Sequence, residues 1–113
     1  MEKKIFETLN KIGVPCNING RRYIETALDI INKKDDILLT KELYPQIAKL
    51  FNATVSRVER SIRYAIEVSF DVADFEDLYG VFGNVINLRS DKLTNGQFLF
   101  GLMKYIKRNS MEE

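Results

Sequence analysis

The 113-residue sequence contains no histidine, no tryptophan, one cysteine, two prolines and six glycines. Without histidine there is no Ser-His or Cys-His nucleophile pair, no His-bearing zinc site and no phosphohistidine relay. Cys16 has no partner for an internal disulfide, and a lone thiol points to a reducing compartment. Its expected setting is a small, semi-buried apolar niche. So few glycines and prolines exclude collagen-like or linker-like composition. Runs of about 18 apolar residues, the length that spans a bilayer, are absent. The opening Met1-Glu2-Lys3-Lys4 also lacks the apolar stretch of a signal peptide, so the expectation is a cytoplasmic protein with no membrane contact. Neither sign of charge dominates, with 17 basic and 16 acidic residues giving +1. A net charge is an average, and a basic face can be offset elsewhere.

What is present is a globular composition. The chain is 45% hydrophobic and carries seven Phe and five Tyr. Length and composition indicate one compact domain over residues 1–113, large enough to bury roughly two thirds of its unfolded surface without disulfides or metal.

Apolar residues recur at helical rather than alternating spacing, and turn signals divide the sequence into about six segments, giving an all-α fold. The first helix is predicted over Lys3 to Ile12, with Ile5, Phe6, Leu9 and Ile12 on one stripe and Gly13-Val14-Pro15 as the stop. The second starts after Asn19-Gly20 and ends in the solvated run Lys33-Lys34-Asp35-Asp36. A short fifth helix, Asp74 to Phe82, places Asp74, Glu76 and Asp77 at the positive end of its dipole. Gly83 to Leu93 reads as an ordered loop with an extended piece at Val85-Ile86-Asn87. Thr94 or Asn95 then caps a last helix, residues 94–110, whose apolar set covers more than one face, so it is either central or shared with a partner.

The middle of the chain, Thr40 to Asp71, carries the most information. Thr40 is a candidate N-cap, and Pro45 near the helix start predicts an irregular first turn. Ile47, Ala48, Leu50 and Phe51 face inward. Asn52 tolerates the left-handed conformation that a sharp reversal needs, and Thr54 or Ser56 caps the next helix. Together they predict a helix-turn-helix at the centre of the fold.

At about 100° per residue, the helix from 55 to 70 places Val58, Ile62, Ala65, Ile66 and Ser69 on one side. Ser56, Arg57, Glu59, Arg60, Arg63, Tyr64 and Glu67 fall on the other. Arg offers a two-pronged donor to guanine, Glu accepts from cytosine N4, and hydroxyls reach phosphates. Residues near the helix start reach deepest, which selects Arg57, Glu59 and Arg60 as base-contacting and Ser56, Arg63 and Tyr64 as phosphate-contacting, with Thr40 added to the second set. Two plainer readings compete. Arg63 could pair with Glu59 or Glu67 on an ordinary solvated face, at about 0.2 to 0.5 kcal/mol per pair. Alternatively the helix could dock a protein, making the chain an interaction adaptor without DNA binding. No convergent acid/base set is visible, so no enzyme activity, cofactor or metal is expected.

The runs Thr-Lys-Glu-Leu-Tyr-Pro-Gln-Ile-Ala-Lys (Thr40 to Lys49) and Ser-Arg-Val-Glu-Arg-Ser-Ile-Arg-Tyr-Ala-Ile-Glu-Val (Ser56 to Val68) resemble the DNA-binding effector domain of the sporulation master regulator of endospore-forming bacteria. Ile12-Gly13-Val14-Pro15 with Gly20, Tyr23 and Ala27, and Phe82-Gly83 with Thr94-Asn95 and Phe98, extend the resemblance over nearly the whole chain. It implies a six-helix domain, a sequence-specific transcription regulator that binds double-stranded DNA through the helix 55–70. Ser56, Arg57, Glu59, Arg60 and Arg63 match the family's DNA-contacting positions. It also implies contact with the RNA polymerase sigma subunit and homodimers on tandem sites, for which the last helix is the candidate surface. The family's receiver, a response-regulator phosphorylation domain, has no counterpart in these residues. Tyr64 stands where the family usually has His.

Overall fold

In the computed structural model, residues 1–83 and 93–111 are described. Among them are six α-helices and no strand: α1 Glu2–Lys11, α2 Asn19–Lys33, α3 Tyr44–Leu50, α4 Val55–Val72, α5 Phe75–Phe82 and α6 Asn95–Met111. α6 lies at the centre, in contact with α1, α2, α4 and α5, while α2 also packs along α4. Phe98, Leu99, Leu102, Met103 and Ile106 of α6 are buried and Phe100 and Tyr105 are half-buried, so the apolar breadth of this helix is core. The extended piece expected at residues 85–87 lies outside the described residues.

Two helices end by the same device. Gly13 at φ +78° and Asn52 at φ +51° each reverse the chain in the left-handed region. The Val14 N–H then donates to the Leu9 carbonyl at 3.0 Å, and the Ala53 N–H to the Ala48 carbonyl at 2.9 Å. This pattern satisfies carbonyls that a helix terminus leaves open. Asn52 thus makes the turn between α3 and α4, as its tolerance of positive φ predicts.

The irregular start before α3 is a π-helical turn, Leu39–Leu43. The Leu43 N–H donates to the Leu38 carbonyl at 2.9 Å, one residue further back than in an α-helix. Pro45 supplies no N–H and crowds the carbonyl four residues before it, which favours the wider turn. Thr40 consequently lies inside this turn instead of capping a helix. Glu42 does the capping: its carboxylate accepts from the Leu38 N–H at 2.8 Å and from Lys34 Nζ at 2.9 Å.

Three inward assignments change. Leu50 is 67% exposed, because the buried stripe of α3 runs through Leu43, Tyr44, Ile47 and Ala48 to half-buried Phe51 and Leu50 falls beyond its edge. Phe6 is exposed and lies beside the buried Arg21 guanidinium, whose carbon is 5.3 Å from the ring centre. Cys16 is exposed, whereas Val14, two residues earlier, is buried.

Polar anchors hold α1 and α2 against the rest. Ser69 Oγ donates to the Ile12 carbonyl at 2.6 Å, tying the end of α1 to the buried side of α4. Arg21 is buried and ion-paired: Nη1 donates to the Val14 carbonyl at 2.6 Å and to Asn10 Oδ1 at 3.0 Å, and the Glu25 carboxylate lies 3.4 Å from Nε without accepting a hydrogen bond from it. A buried cation without such partners would be strongly destabilising.

Candidate nucleic-acid interface

α4 is held by its inner face and leaves its outer face to solvent. The buried residues are Val58, Ile62, Ala65, Ile66 and Ser69, the set the helical spacing selects. The helix extends two residues beyond the expected end, to Val72. Thr54 caps its start, with Oγ1 accepting from the Arg57 N–H at 3.0 Å. Ser56, Arg57, Glu59, Arg60 and Tyr64 are all exposed.

The cations on this face differ in how they are held. Arg57 and Arg60 have no ion pair among the described residues. Arg63 does: its Nε lies 3.8 Å from Glu67, and its Nη1 donates to the Leu93 carbonyl at 2.7 Å. Its side chain is 33% exposed. Of the two pairings expected for Arg63, with Glu59 or with Glu67, the structure shows the one with Glu67. Thr40 is exposed in the π-helical turn, next in sequence to Leu39, which lines a cleft with Glu59, Arg60 and Arg63.

A feature absent from the sequence reading is the start of α2. The residue before it, Ile18, offers no side-chain cap, and the first turn contains no acid. The first N–H groups of such a helix end carry partial positive charge. Asn17, Ile18, Asn19 and Gly20 form one wall of a cleft whose other wall is Arg57, Arg60, Ser61 and Tyr64. Gly20 makes the approach possible, since a Cβ there would lie 2.8 Å from Ala65 Cβ and closer still to the Ser61 carbonyl oxygen. The bare Ile18-Asn19-Gly20-Arg21-Arg22 start, without Asp, Glu or Ser, is the sequence signal that could have revealed it.

Asn95 and Tyr44 are a second omission. Asn95 Nδ2 donates to Tyr44 Oη at 3.0 Å and to the Glu59 carbonyl at 3.1 Å. Burial pushes the Tyr44 phenol above its ordinary pKa, opposed by its hydrogen bond from Asn95.

The described residues contain no cluster of three or more His, Cys, Asp or Glu able to hold a metal ion, and no helix among them is long and apolar enough to cross a membrane. What the interface offers is an exposed helix with two unpaired arginines, hydroxyls and a neighbouring positive helix end.

Residues 5–106 match the family described as Sporulation initiation factor Spo0A C terminal. The chain belongs to this family. As a Spo0A C-terminal domain it is a DNA-binding domain of a sporulation regulator, a family of transcription regulators and not of enzymes.

Proposed function

We propose that this Spo0A C-terminal domain regulates transcription by reading a specific duplex sequence with the first turns of α4 in the major groove. Arg57, Glu59 and Arg60 contact base edges, and Thr40, Ser56, Arg63 and Tyr64 contact phosphates. The observation that carries the reading is the pairing state of the arginines: Arg57 and Arg60 are exposed and without ion pairs, beside the uncapped start of α2. A solvated structural face would gain from neutralising them, whereas a DNA-reading face keeps its guanidinium donors open for bases. Two copies on tandem sites, and the sigma subunit of RNA polymerase as a protein partner, complete the proposal.

Selecting ligands for the purified chain from a random duplex library tests this. One enriched box is expected, with guanines placed for Arg57 and Arg60. Recovery of unenriched DNA would overturn sequence-specific reading.

The second reading, a protein-interaction adaptor without DNA binding, draws on another surface. Val72, Phe75 and Tyr79 are exposed, with the Phe75 and Tyr79 rings stacked 6.0 Å apart among Asp71, Asp74 and Glu76. A stable protein complex covering Arg57 to Arg63, formed by a chain with no DNA affinity, would favour it.

A further inference from the structure

Two neighbouring arginines of α2 meet opposite fates in the fold. Arg21 is buried, hydrogen-bonded to Val14 and Asn10 and ion-paired with Glu25. Arg22 is exposed, and among the described residues it forms no ion pair and donates no hydrogen bond, because Glu25, the acid three residues on, lies against Arg21 instead. What holds Arg22 is a ring: its guanidinium carbon lies over Phe51, 5.2 Å from the ring centre. Phe51 is half-buried and braced edge-on by Tyr23, with the two ring centres 5.1 Å apart. Stacking on an aromatic face orients a guanidinium while leaving the N–H donors around its rim open.

This sets a held but uncommitted cation beside the start of α4. Phe51 is followed by Asn52, whose left-handed turn leads into that helix. Arg22 also stands one turn on from Asn19, on the same face of α2, and Asn19 belongs to the wall that faces Arg57, Arg60 and Tyr64 across a cleft. A second cleft opens on the other side of Arg60, towards Glu59, Arg63 and Leu39. The helical step explains the division: at about 100° per residue, Arg57 and Tyr64 fall on one side of Arg60, and Ser56, Glu59 and Arg63 on the other. The major groove is about 12 Å wide, and a helix with its side chains is about 10 to 12 Å across. A helix lying in the groove therefore meets one phosphate strand along each flank. Of the phosphate contacts proposed above, Ser56, Arg63 and Thr40, the neighbour of Leu39, belong to the Glu59 flank, which leaves Tyr64 alone on the α2 flank.

We propose that Arg22 is a further DNA-binding residue, which contacts a backbone phosphate on the strand opposite to the one met by Arg63, so that the duplex is held along both flanks of α4. This rests on the DNA-reading function proposed above. Phosphate contacts fix the register and orientation of a protein on the duplex and carry no sequence information. Arg22 therefore adds affinity and sets the lie of α4 in the groove, while the choice of bases stays with Arg57, Glu59 and Arg60.

The test measures affinity for a selected duplex and for a scrambled one over a range of salt concentrations, for the wild-type chain, Arg22→Gln and Arg22→Lys. Arg22→Gln is expected to weaken binding to both duplexes about tenfold, the worth of one charge-assisted hydrogen bond, and to keep the ratio between them. It should also flatten the slope of log affinity against log salt by about 0.9. Arg22→Lys, which keeps the charge, retains the wild-type slope. Thermal melting of Arg22→Gln stays near wild type, whereas a merely structural stack on Phe51 would lower the melting temperature and leave the slope alone. The strand is assigned by replacing single phosphates of the selected duplex, one at a time, with uncharged methylphosphonates. One replacement should weaken wild type and have no effect on Arg22→Gln, and it should lie on the strand opposite to the replacement that has no effect on Arg63→Gln. Wild-type affinity and slope in Arg22→Gln, a loss confined to the selected duplex, or both phosphates on one strand overturns the proposal and leaves DNA reading by α4 intact. A wild-type chain without salt-dependent affinity for either duplex overturns DNA binding, and the role of Arg22 with it.

Discussion

At its first turns α4 presents Arg57 and Arg60 to solvent without ion pairs, beside the bare start of α2. At its last turn it exposes Asp71 and Val72, and the chain continues into Asp74, Phe75, Glu76 and Tyr79. One helix thus joins a basic, polar surface to an acidic, aromatic one. Both are exposed and neither is required for the core, which the opposite face of α4 supplies. The net charge of +1 is an average over the whole chain that conceals these separated patches. The difference teaches that exposed arginines carry meaning here through how they are paired. Arg63 has the same residue type and the same helix as Arg57 and Arg60, yet the Leu93 carbonyl and Glu67 take up its guanidinium.

The contrast can be broken most strongly by removing the free arginines. Arg57→Ala and Arg60→Ala should each cost about 1 to 3 kcal/mol of specific DNA binding, leaving the melting temperature nearly unchanged. Phe75→Ser with Tyr79→Ser should leave DNA affinity where it was, and titration of both variants against one duplex shows whether the two ends separate. Gly20→Ala comes next. Its methyl would press on the Ser61 carbonyl and Ala65, at a stability cost of about 1 to 3 kcal/mol. Because it also pushes the start of α2 away from Arg57 and Arg60, it should weaken DNA binding as well, read by chemical denaturation and by titration.

Removing the Thr54 cap has a smaller effect. Thr54→Ala should destabilise the start of α4 by about 1 kcal/mol, and hydrogen exchange at the Arg57 amide should rise more than at Val72. The smallest effect concerns pH. The Leu38 N–H, and then Lys34, hold the Glu42 carboxyl below its ordinary 4.5. A depressed folded pKa gives stability that is present above the ordinary value and lost as pH falls through the folded one. Wild type should therefore lose more stability than Glu42→Gln when melting is followed from pH 5 to pH 3.

Much of this was legible in the sequence because it depends on local geometry. The burial of Val58, Ile62, Ala65, Ile66 and Ser69 follows from the 100° step of a helix. Asn52 and Thr54 act through the bonds of their own turns, so residue type sufficed. Pro45 announced an irregular turn, but whether that turn widens or tightens is set by which carbonyl receives the Leu43 N–H. The contacts that were not legible join residues distant in sequence: Asn95 to Tyr44 and Glu59, Arg63 to Leu93, Gly20 to Ser61 and Ala65. No periodicity encodes such pairs, since they arise only when the packed helices bring those positions together. Leu50 and Phe6 show the same limit from the other side, because hydrophobicity alone does not say where a buried stripe ends.

The most direct measurement of the central claim is a salt titration of affinity for a selected duplex and its scrambled counterpart, with wild type and Arg60→Ala side by side. The expected result is a steep negative log-log slope for wild type on both duplexes, higher affinity for the selected one, and loss of that preference in Arg60→Ala. A flat wild-type plot, or a preference that survives Arg60→Ala unchanged, would contradict the account.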